Sequence, residues 1–143
     1  MRILITGAQG QLGRTLKKTA PKKIINKQIT LIFKSKNELD LSDEKSCRDV
    51  IKKHKPEWII NCGAYTSVDK AESEKKIAFN INGMGPYFLA KYLKDIGGKL
   101  VQISSDFVFD GQSNKAYNTD HPLKPINVYG ESKAMAENLL TSK

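Results

Sequence analysis

Thr6-Gly7-Ala8-Gln9-Gly10-Gln11-Leu12-Gly13 follows directly on Arg2-Ile3-Leu4-Ile5, and the reading of this stretch decides the fold. A buried strand that opens through glycines into a helix is how an α/β domain holds the pyrophosphate of a dinucleotide. Gly7 can take the tight turn off the strand, Gly10 has no side chain to block a pyrophosphate, and Gly13 lets the first helix press against the sheet. The helix start then offers free N–H groups and a partial positive charge to the phosphates. The spacing Gly-x-x-Gly-x-x-Gly differs from the Gly-x-Gly-x-x-Gly of ordinary dinucleotide dehydrogenases.

Outward from this motif, strand and helix patterns alternate. That order predicts an α/β fold, a doubly wound parallel sheet of Rossmann-like type with helices on both faces. Strands are expected at 2–6, 29–34, 57–62 and 100–104. Helices are expected at 11–20, stopped by Pro21, and at 43–54, with Ser42 as N-cap before the acidic first turn of Asp43 and Glu44. A short helical segment at 68–74 leads into a helix at 77–96 closed by Gly97-Gly98. After a loop at 107–126 rich in Asn, Pro and Gly, a last helix covers 129–140. Right-handed crossovers predict the strand order 3-2-1-4, with the cofactor crevice between strands one and four. Such a sheet normally continues, so 1–143 reads as one incomplete NAD(P)-binding domain, truncated before strand five. Strand four is left as an open edge, and the C-terminal substrate-binding part is absent.

Composition narrows the class. The 143 residues carry 27% charged and 39% hydrophobic side chains, the balance of a soluble globular domain with a core. The apolar stretch at 3–6 is far too short for a signal core or a membrane span, which predicts a cytoplasmic protein with no membrane partner. Cys47 and Cys62 lack metal-ligand spacing and read as reduced, packed thiols, and His54 and His121 have no partners at ligand spacing. No metal is expected. The net charge of +9 comes from scattered lysine pairs such as Lys17-Lys18 and Lys52-Lys53, a solvated basic surface rather than a nucleic-acid site.

Four further constellations fall after predicted strands, on the side where an open α/β sheet binds its ligand. Lys34-Ser35-Lys36 stands where an NAD-preferring domain places an acidic residue; basic and hydroxyl groups there suit a 2′-phosphate, which favours NADPH, with NADH the alternative. In Leu39-Asp40-Leu41-Ser42-Asp43, Asp40 could accept from an adenine amine while Leu41 covers the ring, and a plain helix cap reads the same way. Asn61-Cys62-Gly63-Ala64-Tyr65 supplies small residues near the ribose and phosphates. Lastly, Tyr129 and Lys133 lie four apart on one helix face. An ammonium beside a phenol stabilises the phenolate, so Tyr129 could give its proton to a carbonyl oxygen as a general acid. Ser104-Ser105, 24 to 25 residues upstream, could orient the same carbonyl.

With these residues assembled, the chain resembles the dTDP-4-dehydrorhamnose reductases, extended short-chain dehydrogenase/reductases, over the N-terminal part of that family. The words that carry the resemblance are the glycine motif, Leu39-Asp40, Ala64-Tyr65-Thr66-Ser67-Val68-Asp69-Lys70-Ala71-Glu72-Ser73, Asn82, Ser104-Ser105-Asp106-Phe107-Val108-Phe109-Asp110-Gly111 and Pro125-Ile126-Asn127-Val128-Tyr129-Gly130-Glu131-Ser132-Lys133. The resemblance implies NADPH-dependent reduction of the C4 keto group of dTDP-4-dehydrorhamnose to dTDP-L-rhamnose. It implies catalytic roles for Ser105, Tyr129 and Lys133, and substrate contacts at Ser105, Asp106 and Tyr129. Cofactor contacts are implied at Gly7, Gly10, Gln11, Leu12, Gly13, Asp40, Leu41, Gly63, Ala64, Tyr65, Tyr129 and Lys133. A nucleotide-diphosphate sugar is the implied partner, and a homodimer of the full-length form is compatible with it. Two departures stand out: Phe107 replaces a common Tyr, and Ser105 replaces a common Thr while keeping the hydroxyl. The alternatives are another nucleotide-sugar epimerase or dehydratase, and a non-catalytic NADP-binding regulatory subunit.

Overall fold

The computed structural model describes residues 1–24 and 26–141. Its elements in chain order are β1 (Arg2–Ile5), α1 (Gln11–Thr19), β2 (Lys23–Ile24), β3 (Lys27–Gln28), β4 (Thr30–Phe33), α2 (Glu44–His54), β5 (Trp58–Asn61), α3 (Val68–Ala71), α4 (Lys75–Phe79), α5 (Gly85–Lys94), β6 (Lys99–Gln102) and α6 (Val128–Thr141). The two-residue strands β2 and β3 pair as a small antiparallel hairpin that the apolar pattern did not announce. The other four strands form one parallel sheet in the order β4-β1-β5-β6.

The α/β class and parallel sheet agree with the sequence reading, whereas the strand order does not. Counting only the four long strands, the order is 2-1-3-4, not 3-2-1-4. Packing explains the difference. Leu16 of α1 lies against the face made by Ile3, Ile5 and Ile29. Cys47 and Ile51 of α2 join Leu39 and Leu41 against the opposite face, with Leu4 and Ile59. A right-handed crossover moves the next strand one way over one face and the other way over the opposite face. The chain therefore steps from β1 out to β4, then back past β1 to β5. The winding reverses between β1 and β5, so the crevice opens at their C-terminal ends rather than between the first and last strands.

Local chemistry adjusts several boundaries. Asp43, not Ser42, caps α2: its carboxylate accepts from the Lys45 amide at 2.9 Å. The single helix expected at 77–96 is α4 and α5 joined by a π turn over Asn80–Met84, the kind of bulge that lets a side chain enter a helical ladder. Asn82, buried within it, turns its amide inward. Beyond α5, the Gly98 amide closes on the Leu93 carbonyl, and Gly97 takes the left-handed backbone (φ +69°) that the turn requires. Among the described residues, no helix is long and apolar enough to cross a membrane.

Candidate active site

At the reversal of winding lies a cavity of about 640 Å³. Three loops build it: the glycine turn after β1, the segment after β4 that includes Lys36, Asp40 and Leu41, and the segment after β5 that includes Cys62, Gly63, Ala64 and Tyr65. Gly7, Gly10, Gln11 and Leu12 therefore share one wall with Asp40, Leu41, Gly63, Ala64 and Tyr65. Gly13 is buried behind that wall: a Cβ on it would meet the Gly7 carbonyl oxygen at 2.4 Å. A Cβ on Gly7, whose φ is +60°, would strike the Gly63 amide at 2.6 Å, so the first turn and the β5 loop touch backbone to backbone. Tyr129 and Lys133 are not on the cavity wall.

The start of α1 is suited to an anion. Its N-cap is Gly10, with no side-chain cap and no acidic residue in the first turn. The amides of Gln11, Leu12 and Gly13 have no carbonyl four residues back within the helix. Among the described residues outside its own helix and its chain neighbours, a Cβ on Gly10 would come within 4 Å of the Gly7 carbonyl oxygen alone, at 3.3 Å, so nothing crowds the helix start at that residue. A pyrophosphate fits this cradle by charge, by donor set and by room.

Asp40 stands in the loop before α2, whose cap is Asp43. It lines the cavity, and its Oδ1 accepts from the Ser42 hydroxyl at 2.7 Å and the Ser42 amide at 2.9 Å. The Ser42 hydroxyl is the main influence holding its carboxyl below the ordinary range. Across the cavity, burial raises the Cys62 thiol. Burial likewise pushes Cys47 up to about 12, in keeping with packed, protonated thiols.

The second group of residues gathers where β6 ends. The Ser105 hydroxyl accepts from the Phe107 amide at 3.2 Å and so caps a single 3₁₀ turn, Asp106–Val108. That turn packs on the first turn of α6: a Cβ on Gly130 would meet the Phe107 carbonyl oxygen at 2.2 Å, and the Phe107 ring stands edge-on to Tyr129 with centroids 5.5 Å apart. One helical turn on, Lys133 is 3% exposed and donates through Nζ to the Ile103 carbonyl at 2.5 Å. Burial pulls its ammonium below the usual lysine range, opposed by Glu137. Glu137 in turn accepts from the Ser104 hydroxyl, so α6 grips Ile103 and Ser104 from one face. Ser105, Tyr129 and Lys133 are thus brought to the same strand end.

Further side chains tie the two groups together. The Thr6 hydroxyl donates to Asn61 and accepts from the Gly63 amide at 3.0 Å. Asn61 donates to Gln102 at 2.7 Å, Gln102 donates to the Ile103 carbonyl at 2.8 Å, and Lys133 donates to that same carbonyl. A polar rail therefore crosses the C-terminal ends of β1, β5 and β6 to α6. In parallel, Asn82 accepts from the Tyr65 amide at 2.8 Å and donates to the Tyr65 carbonyl and to Ser132, which donates to the Tyr129 carbonyl. Glu72 accepts from the Val128 amide at 2.8 Å, and the Asn127 side chain accepts from Gly130 at 2.7 Å, so the start of α6 is held twice. Thr6, Asn61, Glu72 and Asn82 lie within stretches that carry sequence signals, though not for these bonds; Gln102 and Glu137 carried none, because each acts through a partner distant in the chain.

A parallel sheet whose winding reverses over a glycine turn, with helices on both of its faces, defines a Rossmann-like α/β domain. The model of the RmlD substrate binding domain matches residues 1–143, and the chain belongs to that family. It is 38% identical over 136 residues to a dTDP-4-dehydrorhamnose reductase of Streptomyces griseus, covering 95% of this chain and 43% of that protein. The crystal structure of a dTDP-4-dehydrorhamnose reductase from Clostridium acetobutylicum superposes with a TM-score of 0.90 at 36% identity, over 99% of this chain and 49% of that one. The dTDP-4-dehydrorhamnose reductase of Bacillus anthracis, solved in complex with NADP, superposes with a TM-score of 0.88 at 37% identity, over 97% and 48%. The chain spans about half the length of the relatives it matches.

Proposed function

We propose that this chain carries the cofactor site and the proton-transfer residues of an NADPH-dependent reductase acting on the C4 keto group of dTDP-4-dehydrorhamnose to give dTDP-L-rhamnose. The observation that carries the reading is the gathering of Ser105, Tyr129 and Lys133 at the end of β6, tied by the polar rail to the glycine turn. The named relatives support the substrate class.

When bound, the reduced nicotinamide supplies hydride to the keto carbon. Gly10, Gln11 and Leu12 would hold the pyrophosphate, with Asp40 and Leu41 at the adenine and Gly63, Ala64 and Tyr65 along the ribose and phosphates. The Tyr129 hydroxyl gives its proton to the carbonyl oxygen as the alcohol forms, and the Ser105 hydroxyl, beside Asp106, orients that oxygen. Lys133 has three N–H donors. The Ile103 carbonyl takes one and fixes the side chain, leaving two that would serve the nicotinamide ribose. The Phe107 edge limits where the Tyr129 ring can stand.

The test is reductase turnover of the full-length protein with NADPH and the keto sugar, followed at the reduced-nicotinamide absorbance. Stoichiometric oxidation of NADPH excludes an epimerase or dehydratase, which returns its cofactor unchanged. Tyr129→Phe is expected to lower turnover by roughly 10²- to 10⁴-fold, the usual worth of a positioned general acid, with NADPH affinity retained. Unchanged turnover in that variant would refute the assignment, and NADPH binding without any turnover in the wild type would favour a non-catalytic binding subunit.

A further inference from the structure

We infer that Glu38 sets the choice between the two nicotinamide dinucleotides, its carboxylate holding the donors on which a 2′-phosphate would otherwise rest; this builds on the dinucleotide reading of the cavity.

The loop after β4 is fixed to the glycine turn itself. The Lys34 amide donates to the Ile5 carbonyl at 2.9 Å, and the Ala8 amide donates to the Lys34 carbonyl at 3.0 Å. In a doubly wound domain this loop meets the adenosine ribose, where an acidic residue takes the 2′-hydroxyl or a basic one takes a 2′-phosphate. Lys34 and Ser35 supply an ammonium, an amide and a hydroxyl, the donor set of a phosphate oxyanion. That set is already engaged. Glu38 Oε2 accepts from the Ser35 amide at 2.9 Å and from the Ser35 hydroxyl at 2.8 Å, and Glu38 Oε1 lies 3.5 Å from Lys34 Nζ. The Ser35 amide and then its hydroxyl hold the Glu38 carboxyl below its ordinary range, so it is ionised wherever the cofactor binds. Lys36 lines the cavity.

The same carboxylate thus acts in opposite senses on the two cofactors. A 2′-phosphate, carrying about two negative charges near neutral pH, must displace Glu38 from its donors and sit beside a like charge. The 2′-hydroxyl of NADH brings no charge and can donate to the carboxylate. Lys34 and Lys36 therefore pull toward NADPH while Glu38 pulls toward NADH, and the preference is a balance rather than a commitment.

Two variants separate charge from donor occupancy. Glu38→Gln keeps an acceptor for Ser35 but removes the charge, and Glu38→Ala frees all three donors. The Glu38 side chain is half exposed, and neither change touches the core. Dissociation constants for NADPH and NADH would be measured by calorimetric titration of the full-length wild type and both variants. The expected result is a shift of the NADPH-to-NADH preference toward NADPH by roughly threefold to tenfold in the Gln variant, the effect of lifting one like charge some ~5 Å from a dianion at moderate salt. The Ala variant should shift at least as far, and both gains should shrink at high salt. An unchanged preference in both variants, or a shift toward NADH, overturns the role of Glu38 while leaving the dinucleotide site in place. Failure of all three proteins to bind either cofactor overturns the dinucleotide reading instead.

Discussion

Adding one methyl group at Gly10 and, separately, at Gly13 should produce opposite phenotypes, because the two glycines are small for different reasons. At Gly13 the new Cβ would lie 2.4 Å from the Gly7 carbonyl oxygen and 2.9 Å from the Ala8 Cα. Both are backbone atoms that cannot rotate aside, so α1 must lift off the turn. Overpacking of this kind costs about 1–3 kcal/mol, and the better helix propensity of Ala returns at most ~1 of it. At Gly10 the backbone is already in a region open to any residue (φ −73°, ψ 171°), and among the described residues beyond its own helix and chain neighbours the Gly7 carbonyl oxygen alone comes within 4 Å, at 3.3 Å. Loss of the glycine N-cap there is offset by the stiffer unfolded chain, so stability should change by less than about 0.5 kcal/mol. The methyl, however, enters the open space before the amides of α1. Losing two charge-assisted hydrogen bonds to the pyrophosphate at about 1.5 kcal/mol each weakens binding by about 3 kcal/mol, or some ~150-fold. Urea denaturation and calorimetric titration with NADPH, run on both variants, read the two effects separately. If Gly10→Ala binds NADPH within about threefold of wild type, the pyrophosphate does not rest on α1; if Gly13→Ala is as stable as wild type, the account of the turn as a backbone contact is wrong.

Two further consequences are open to measurement. Glu72→Ala leaves the buried Val128 amide without its acceptor and should cost about 1–2 kcal/mol in thermal denaturation, with reductase turnover falling as the start of α6 loosens around Tyr129; Glu72→Gln keeps the acceptor and should recover most of both. Equal losses in the two variants would show that the charge, not the hydrogen bond, matters. Asp110 is bonded by the Gln112 amide, Lys124 and the Tyr117 hydroxyl, which lower its carboxyl from 3.8 to about 2. Because the folded value is depressed, its contribution to holding the loop is complete above pH ~4 and is lost as the pH falls toward 2, and a carbon-detected NMR titration of Asp110 with a midpoint near 3.8 would contradict the clamp.

What the sequence disclosed and what it concealed follow from the range of the interactions. The glycine turn and the Tyr129–Lys133 pair are legible because their geometry is fixed within one turn of chain, by backbone freedom in the first case and helical period in the second. The strand order is not legible, since the apolar stripe of α2 says that the helix is buried but not on which face of the sheet. The buried Leu39 and Leu41 decide it by carrying the chain over the side of Leu4 and Ile59 before α2 begins. Thr6, Asn61 and Gln102 are concealed more deeply. Each is a polar residue at the end of a strand, a position where solvation alone would account for it, and only the parallel register that sets Asn61 beside Gln102 shows that they bond one another. The rail they form starts one residue before the glycine turn and ends on the carbonyl that fixes Lys133. A shift of β6 by a single residue would put Gln102 on the other face and leave Asn61 without its acceptor. The separation between the glycine turn and the helix that carries Tyr129 and Lys133 is therefore set by sheet register, which is why residues such as Asn61 and Gln102 can control the alignment of two motifs that are read so easily on their own.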